Sequence, residues 1–187
     1  MGRIIGTPGI NIEGAIWAVS GRASEIGAAA ERRTGAALNR LAQTTGATVL
    51  HGLVFGRGKT SFDVDHAVVT GTDVYLVDSK CWRPGAYYNL GSRVYRGFLN
   101  RFQYAEVRTH DAAVERLAKH GILVAGSVMA VWPSREDGRV TMLRVRNPSA
   151  KVMSGDRAMA WLARRIDKPA DVATVDVLAS FVPKASR

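Results

Sequence analysis

Apolar and polar positions alternate most clearly between Thr48 and Trp82. Thr48–Phe55 is rich in β-branched residues and reads as a strand, closed by a Gly56-Arg57-Gly58-Lys59 turn. Two more strand-like runs follow, SFDVDHAVVTG and DVYLVDSKCW, joined through Thr70-Gly71-Thr72-Asp73. Side chains alternate along a strand, so Val74, Leu76, Asp78 and Lys80 share one face. A turn centred on Gly71 and Thr72 sets Asp65 opposite Asp78 and Asp63 opposite Lys80, with His66 pointing the other way.

Helical spacing flanks this block. Ile26, Ala30, Ala37, Leu38 and Leu41 recur at 3.6-residue intervals, which predicts a helix over Glu25 to Thr44. Glu31 and Leu38 are seven apart, so Glu31 sits at the edge of the buried stripe. Residues 1–10, interrupted by Gly and Pro, read as an irregular arm, and Ile12–Ser20 as a short helical segment. Downstream, Arg101–His120 reads as a helix with Val107, Val114 and Leu117 inward and Gly121 as its stop, turning Gln103 inward as well. Ile122–Trp132 and Val140–Val145 read as strands. Ser154 is placed to cap a helix running to Ile166, and Pro169 to open a last one near Asp171–Phe181. The resulting order, α-β-β-β-α-β-β-α-α, predicts an α/β sandwich around a mixed sheet, with residues 1–21 an arm and 22–187 one domain.

Charge narrows the partners. Lys and Arg outnumber Asp and Glu by 26 to 16, and the net +10 favours a polyanion, either nucleic acid or an anionic membrane surface. No apolar run reaches the roughly 18 residues of a membrane span, and Glu13 and several glycines break any signal-peptide core. The single cysteine, Cys81, forms no internal disulfide and fits a reducing cytoplasm. Beside Lys80 it lacks a base to activate it, so it reads as a small packed residue.

The chemistry concentrates on the two acidic strands. Carboxylates placed directly opposite each other repel, and a hard divalent cation removes the repulsion, since Mg²⁺ takes one or two carboxylates plus substrate phosphate. Asp65, about a dozen residues, then Asp78-Ser79-Lys80 resembles the signature of the PD-(D/E)xK nuclease superfamily. The nuclease-related domain (NERD) family within it is the more similar. Ala28-Ala29-Ala30-Glu31-Arg32-Arg33 stands for its helix-start motif, with alanine before Glu31 where the family has glycine. Val64-Asp65-His66 and Asp78-Ser79-Lys80 with Trp82 and Gly85 stand for the next two. Asn100-Arg101-Phe102-Gln103 resembles the fourth, with arginine in place of proline. The resemblance covers residues 22–133 and implies a restriction-endonuclease-like α/β core. It further implies a DNA nuclease dependent on Mg²⁺ or Mn²⁺, in which Asp65 and Asp78 hold the metal, joined by Glu31 directly or through water. Lys80 would then orient the attacking water or stabilise negative charge, and Gln103 would position water or phosphate.

Other patterns carry less. Asp63 is either a second ligand or the salt-bridge partner of Lys80, and the partner role is favoured because the triplet centres on Asp65. His66 reads as a packed, hydrogen-bonded histidine, and His51, His110 and His120 show no metal-ligand spacing. Gly58-Lys59-Thr60 mimics the end of a phosphate-binding loop, but the required earlier glycine is Leu53 and a strand follows instead of a helix. After Lys80 come interleaved aromatics and arginines: Trp82, Tyr87, Tyr88, Tyr95 and Phe98 with Arg83, Arg93, Arg96 and Arg101. These and Lys59 are candidate DNA contacts, set against a reading in which the aromatics simply pack on the sheet. The rival to a nuclease is a catalytically silent protein of the same fold that binds DNA or serves in assembly of a larger complex. A third reading is an adaptor that binds only protein. With no sequence-reading motif visible, site choice falls to DNA shape or to a partner.

Overall fold

The computed structural model describes residues 2–9, 21–56, 58–103 and 109–183. A six-stranded mixed sheet forms its centre, built from β1 (Ile4–Ile5), β2 (Thr48–Phe55), β3 (Phe62–Thr70), β4 (Asp73–Trp82), β8 (Val124–Pro133) and β10 (Lys151–Ser154), in that spatial order. The middle strand β3 pairs antiparallel with both β2 and β4, whereas β1–β2, β4–β8 and β8–β10 pair in parallel. A smaller sheet of β5 (Gly85–Leu90), β6 (Arg93–Arg96), β7 (Asn100–Phe102) and β9 (Val140–Leu143) runs in the order β7-β6-β5-β9. The helices are α1 (Gly21–Thr44), α2 (Thr109–Ala118), α3 (Gly155–Ala163) and α4 (Val172–Ala179).

Alternation along the central strands sends apolar side chains to both faces, and each face is covered. Val68, Tyr75, Val77, Val128 and Ala130 meet Leu38 and Ala42 of α1 and Ala158 and Leu162 of α3. On the opposite face Leu53, Phe55, Ala67, Val69, Val74 and Leu76 meet Ala113 and Leu117 of α2 and Val175 and Leu178 of α4. Burying a leucine such as Leu38 contributes about 1.5–3 kcal/mol. Further along that second face, Trp82, Met129 and Val131 are covered by Tyr87, Val94 and Val140 from the small sheet. The face that carries Asp78 and Lys80 therefore runs between α2 and the small sheet.

Several expectations are corrected. The arm is not wholly irregular, since Ile4 and Ile5 pair with Val49 and Leu50. The segment Ile12–Ser20 lies outside the described residues. No helix begins at Arg101: residues 100–102 form β7, because Phe102 docks its ring on Trp82 and Tyr87, at 4.7 and 5.0 Å; α2 is described from Thr109, and Val107 lies outside the described residues. On α2 the buried residues are His110, Ala113 and Leu117, while Val114 is half exposed. Pro169 opens no helix, because its carbonyl accepts the Gly71 amide and Ala170 bridges to Gly71 along the sheet end. The last helix starts at Val172, capped by Asp171, which accepts the Thr174 amide at 2.8 Å. Ser154 precedes α3 without a side-chain cap, and that helix ends at Ala163. The strand expected over Val140–Val145 stops at Leu143. Among the described residues no helix is long and apolar enough to cross a membrane.

Candidate active site

The hairpin register follows the turn. Thr70 pairs with Asp73, and the pairing runs through Val69–Val74, Val68–Tyr75 and Ala67–Leu76 to His66–Val77. There the ladder stops, one residue short of the two acids. Beyond that point β3 stays with β2, through Val64–Leu53 and Asp63–Val54, while β4 stays with β8, through Asp78–Met129 and Lys80–Val131. The two strands part where Asp65 and Asp78 stand. Asp65 turns its Oδ2 to the backbone amide of Ser79, at 2.6 Å, replacing a ladder hydrogen bond with a side-chain one.

Asp78 is buried, and its two oxygens differ. Oδ1 accepts from Lys80 Nζ at 2.7 Å, whereas Oδ2 is buried without a partner. The partner of Lys80 is thus Asp78, two residues away on the same strand face, and not Asp63, which the parting of the strands leaves opposite Val54. The Lys80 side chain keeps 34% of its surface exposed, enough for its ammonium to meet a substrate. Burial works against its charge, but Asp78, Asp65 and Glu31 outweigh that and hold its pKa above the ordinary lysine value.

Glu31 comes from α1, as expected from its place on the helical stripe. The helix is fixed over the end of β8 by Trp132, whose Nε1 donates to Thr34 Oγ1 at 2.8 Å and whose ring lies under the Arg33 guanidinium. Glu31 Oε2 accepts the Gly9 amide at 3.1 Å. Burial, together with the Asp63 charge, pushes its carboxyl up to about 7, against the pull of the Gly9 amide and Lys80. Asp65 is held well above the usual carboxylate range, by burial first and then by Asp78 and Glu31, with Lys80 and the Ser79 amide opposing. Three acids and one lysine thus share one electrostatic environment.

This donor set fits a hard divalent cation. It offers a buried carboxylate oxygen with no partner and a second carboxyl that burial and its acidic neighbours hold well above the usual carboxylate range. Among the described residues no three acidic, histidine or cysteine groups converge closely enough to hold a metal, so the carboxylates that could serve as donors here are the pair Asp65 and Asp78. In metal-free solution the crowding destabilises the fold. Replacing Asp65 by asparagine, which still accepts from Ser79, is expected to raise Tm in EDTA. A carboxyl with a raised folded pKa opposes folding above that pKa and ceases to do so once protonated. The gap between Asp65→Asn and wild type is therefore expected to widen as pH rises and to close as pH falls. Thermal melts across pH that show no gap at any pH would contradict this electrostatic assignment.

Sequence reading missed His110. It lies on the buried face of α2 with both ring nitrogens unpartnered, within the field of Asp78 and Lys80. Burial pushes its pKa down to about 4, Lys80 adding and Asp78 opposing, so the ring is neutral. The only signal for it was helical: His110, Ala113 and Leu117 follow the i, i+3, i+7 pattern of a buried face. Gln103, expected to point inward, is instead exposed just after β7.

Behind the acids runs a buried chain of hydrogen bonds. His51 Nε2 donates to Asn39 Oδ1 at 2.9 Å, which leaves His51 Nδ1 to accept from His66 Nδ1 at 2.8 Å. His66 Nε2 then accepts from Ser79 Oγ at 3.0 Å. Both rings are neutral, burial lowering His51 to about 4 and, with His51 beside it, holding His66 well below the ordinary histidine value. The expected packed, hydrogen-bonded role of His66 is what this geometry gives it.

The basic and aromatic segment divides in two. Trp82, Tyr87 and Phe102 pack inward, with Tyr87 Oη donating to the Arg83 carbonyl at 2.7 Å, and Arg96 pairs across from Tyr87 on that inner face. Tyr88, Tyr95, Arg93 and Arg101 lie on the outer face. Arg83 is exposed, and Lys59 lies in the short turn Gly58–Thr60.

Residues 26–131 match the family model described as nuclease-related domain. No curated protein and no solved structure matches the chain.

Proposed function

Because the chain belongs to the nuclease-related domain family, within the PD-(D/E)xK-like nucleases, we propose that it is a deoxyribonuclease that uses Mg²⁺ or Mn²⁺ to hydrolyse phosphodiester bonds. The observation that carries this reading is the unpartnered, buried Oδ2 of Asp78 at the point where β3 and β4 part, with Asp65 and Lys80 beside it. Asp65 and Asp78 would hold the cation, and Glu31 would join through water. When bound, the cation supplies Lewis acidity toward the scissile phosphate and makes a nearby water more acidic.

The remaining work belongs to the side chains. Lys80, held by Asp78 yet partly exposed, sets its positive charge where negative charge grows on the phosphate. Glu31, with a carboxyl near neutrality, is suited to take up the proton that the attacking water gives up. The neutral His110 ring offers one donor and one acceptor to a water or phosphate oxygen. Gln103, from its exposed position, contacts the bound strand instead. Arg83, Arg93, Arg101 and Lys59 carry the DNA backbone, and Arg96 braces the small sheet. Target choice rests on DNA form or on a partner protein.

The test is direct. Purified protein is incubated with supercoiled, linear and single-stranded DNA, in Mg²⁺, in Mn²⁺ and in EDTA. Cutting is expected only with metal, and binding in EDTA is expected to weaken steeply with salt. Binding without cutting on every DNA form, metal present, would instead favour the silent DNA-binding or assembly reading.

A further inference from the structure

Among the described residues, none of the apolar clusters covers the outer face of the small sheet. Across its four strands one row reads Leu143, Tyr88, Tyr95 and Arg101, from β9 through β5 and β6 to β7. Leu90 and Arg93 pair two residues further along the same face. Strands lie about 4.8 Å apart, so the row spans about 14 Å. Tyr88 and Tyr95 stack on each other, centroids 5.9 Å apart and planes within 20°. Phe98, in the turn between β6 and β7, is 90% exposed, and Leu99 and Leu143 are also exposed. The Tyr88 hydroxyl holds that turn by accepting from the Leu99 amide at 3.3 Å.

The charge on this sheet is of one sign. Its four strands hold Arg93, Arg96 and Arg101 and no acid, and Arg139 and Arg144 flank β9 on either side. An apolar patch meant for another protein has no need of so one-sided a charge, whereas a polyanion does. Bases of a duplex stack on one another and show only their edges in the grooves, leaving nothing for a tyrosine face to stack on. Unpaired bases offer their faces, and arginines beside the aromatic rings hold the backbone that connects them.

We propose that the outer face of the small sheet, centred on Tyr88 and Tyr95 and flanked by Arg93 and Arg101, is a stacking platform for single-stranded DNA. It rests on the reading of the nearby acids as a DNA-cutting site and names its substrate class: DNA with an unpaired segment. The connection is short. The strand that carries Lys80 continues through Trp82, whose ring packs on Tyr87 and Phe102 of the inner face of the same sheet. The small sheet thus packs by its inner face on the same side of the central sheet as Asp78 and Lys80, and a strand held on its outer face reaches the acids around the edge of the small sheet.

The experiment measures binding in EDTA, so that no cutting enters, by anisotropy of a labelled thymidine oligonucleotide, a blunt duplex of the same length and the matching uridine oligonucleotide. Wild type is expected to prefer the thymidine strand. Tyr88→Ala/Tyr95→Ala is expected to weaken that binding about thirtyfold or more, since two stacks are lost at about 1–3 kcal/mol each, and to leave duplex binding within about twofold. Tyr88→Phe/Tyr95→Phe keeps the rings and should restore single-strand affinity. Should the alanine pair fail to fold, Arg93→Ser/Arg101→Ser reads the same surface through its charge, with a loss for the single strand exceeding that for the duplex. Unchanged affinity in the folded alanine pair, or no preference over duplex in wild type, overturns the platform, and equal affinity for the uridine strand overturns its assignment to DNA. A protein that binds the single strand through these tyrosines but never cuts would sink the nuclease reading alone. One that cuts, with binding indifferent to the tyrosines, would sink the platform alone.

Discussion

Lys80→Ala is expected to lose DNA cleavage by about a hundred- to a thousandfold, the scale of removing one donor from a developing oxyanion, and at the same time to bind Mn²⁺ more tightly. The two effects share one cause. The Lys80 ammonium lies 2.7 Å from Asp78 Oδ1 and within the field of Asp65 and Glu31. It therefore competes with any cation for those carboxylates. Truncation removes the competitor and frees a second oxygen on Asp78, but it also removes the charge that faces the phosphate. Asp78→Asn separates the functions from the other side, losing cleavage and Mn²⁺ affinity together. Titration calorimetry and plasmid nicking on both variants read the pair. If Lys80→Ala cut at the wild-type rate, the catalytic role given to Lys80 would be wrong, whatever the metal does.

The largest effect on stability is expected at His66. Its ring is fully buried and is the only link between His51 and Ser79 in the chain of hydrogen bonds that starts at Asn39. Alanine there opens a cavity and strands two buried polar partners, a loss of about 3 kcal/mol or more from a total of about 5–15. His66→Phe refills the space and leaves the partners stranded, so the difference between the two substitutions divides packing from hydrogen bonding. Denaturant titration gives both numbers, and equal losses would mean the cavity contributes little. Neutral rings add a pH dependence of known sign. The folded chain resists protons that free histidine accepts, so the contribution of His51 is whole above about pH 6.5 and falls away toward its folded pKa of about 4.

How much of this was legible before the structure depends on how local each signal was. The β3–β4 register could be read because a four-residue turn fixes it, and α1 because its apolar stripe is long. Asp78 and Lys80 could be placed on one face because two-residue spacing along a strand settles that. The reading erred where the cause lay elsewhere in the chain. Asp63 was paired with Lys80 by extending the ladder past the point where β3 and β4 part, and nothing in the local sequence marks that point. Local pattern does not reveal the small sheet, because β5 finds one of its neighbours in β9, where Gly85 pairs with Val140, 55 residues later. A hairpin signal was present in Leu90-Gly91-Ser92-Arg93, whose glycine has φ near +59°, yet the short β6 and β7 gave too little alternation to compete with a helical pattern. His110 was dismissed on metal-ligand spacing, and only the packing of α2 on the sheet brings it near Asp78.

The parallel pairing of β4 with β8 also sets an order of events. Asp65, Asp78 and Lys80 are all made before residue 81, but the strand that carries Asp78 and Lys80 gains its second neighbour only when Val124–Pro133 has emerged. The platform waits longer still, for Val140–Leu143. Pairings between segments so far apart in sequence form late and slowly, since each must first close a long loop. A partly synthesised chain can thus hold every acid of the site and the lysine without the frame that aligns them. On the nuclease reading proposed above, the site of a nascent chain stays incomplete until β8 and β9 have joined the fold.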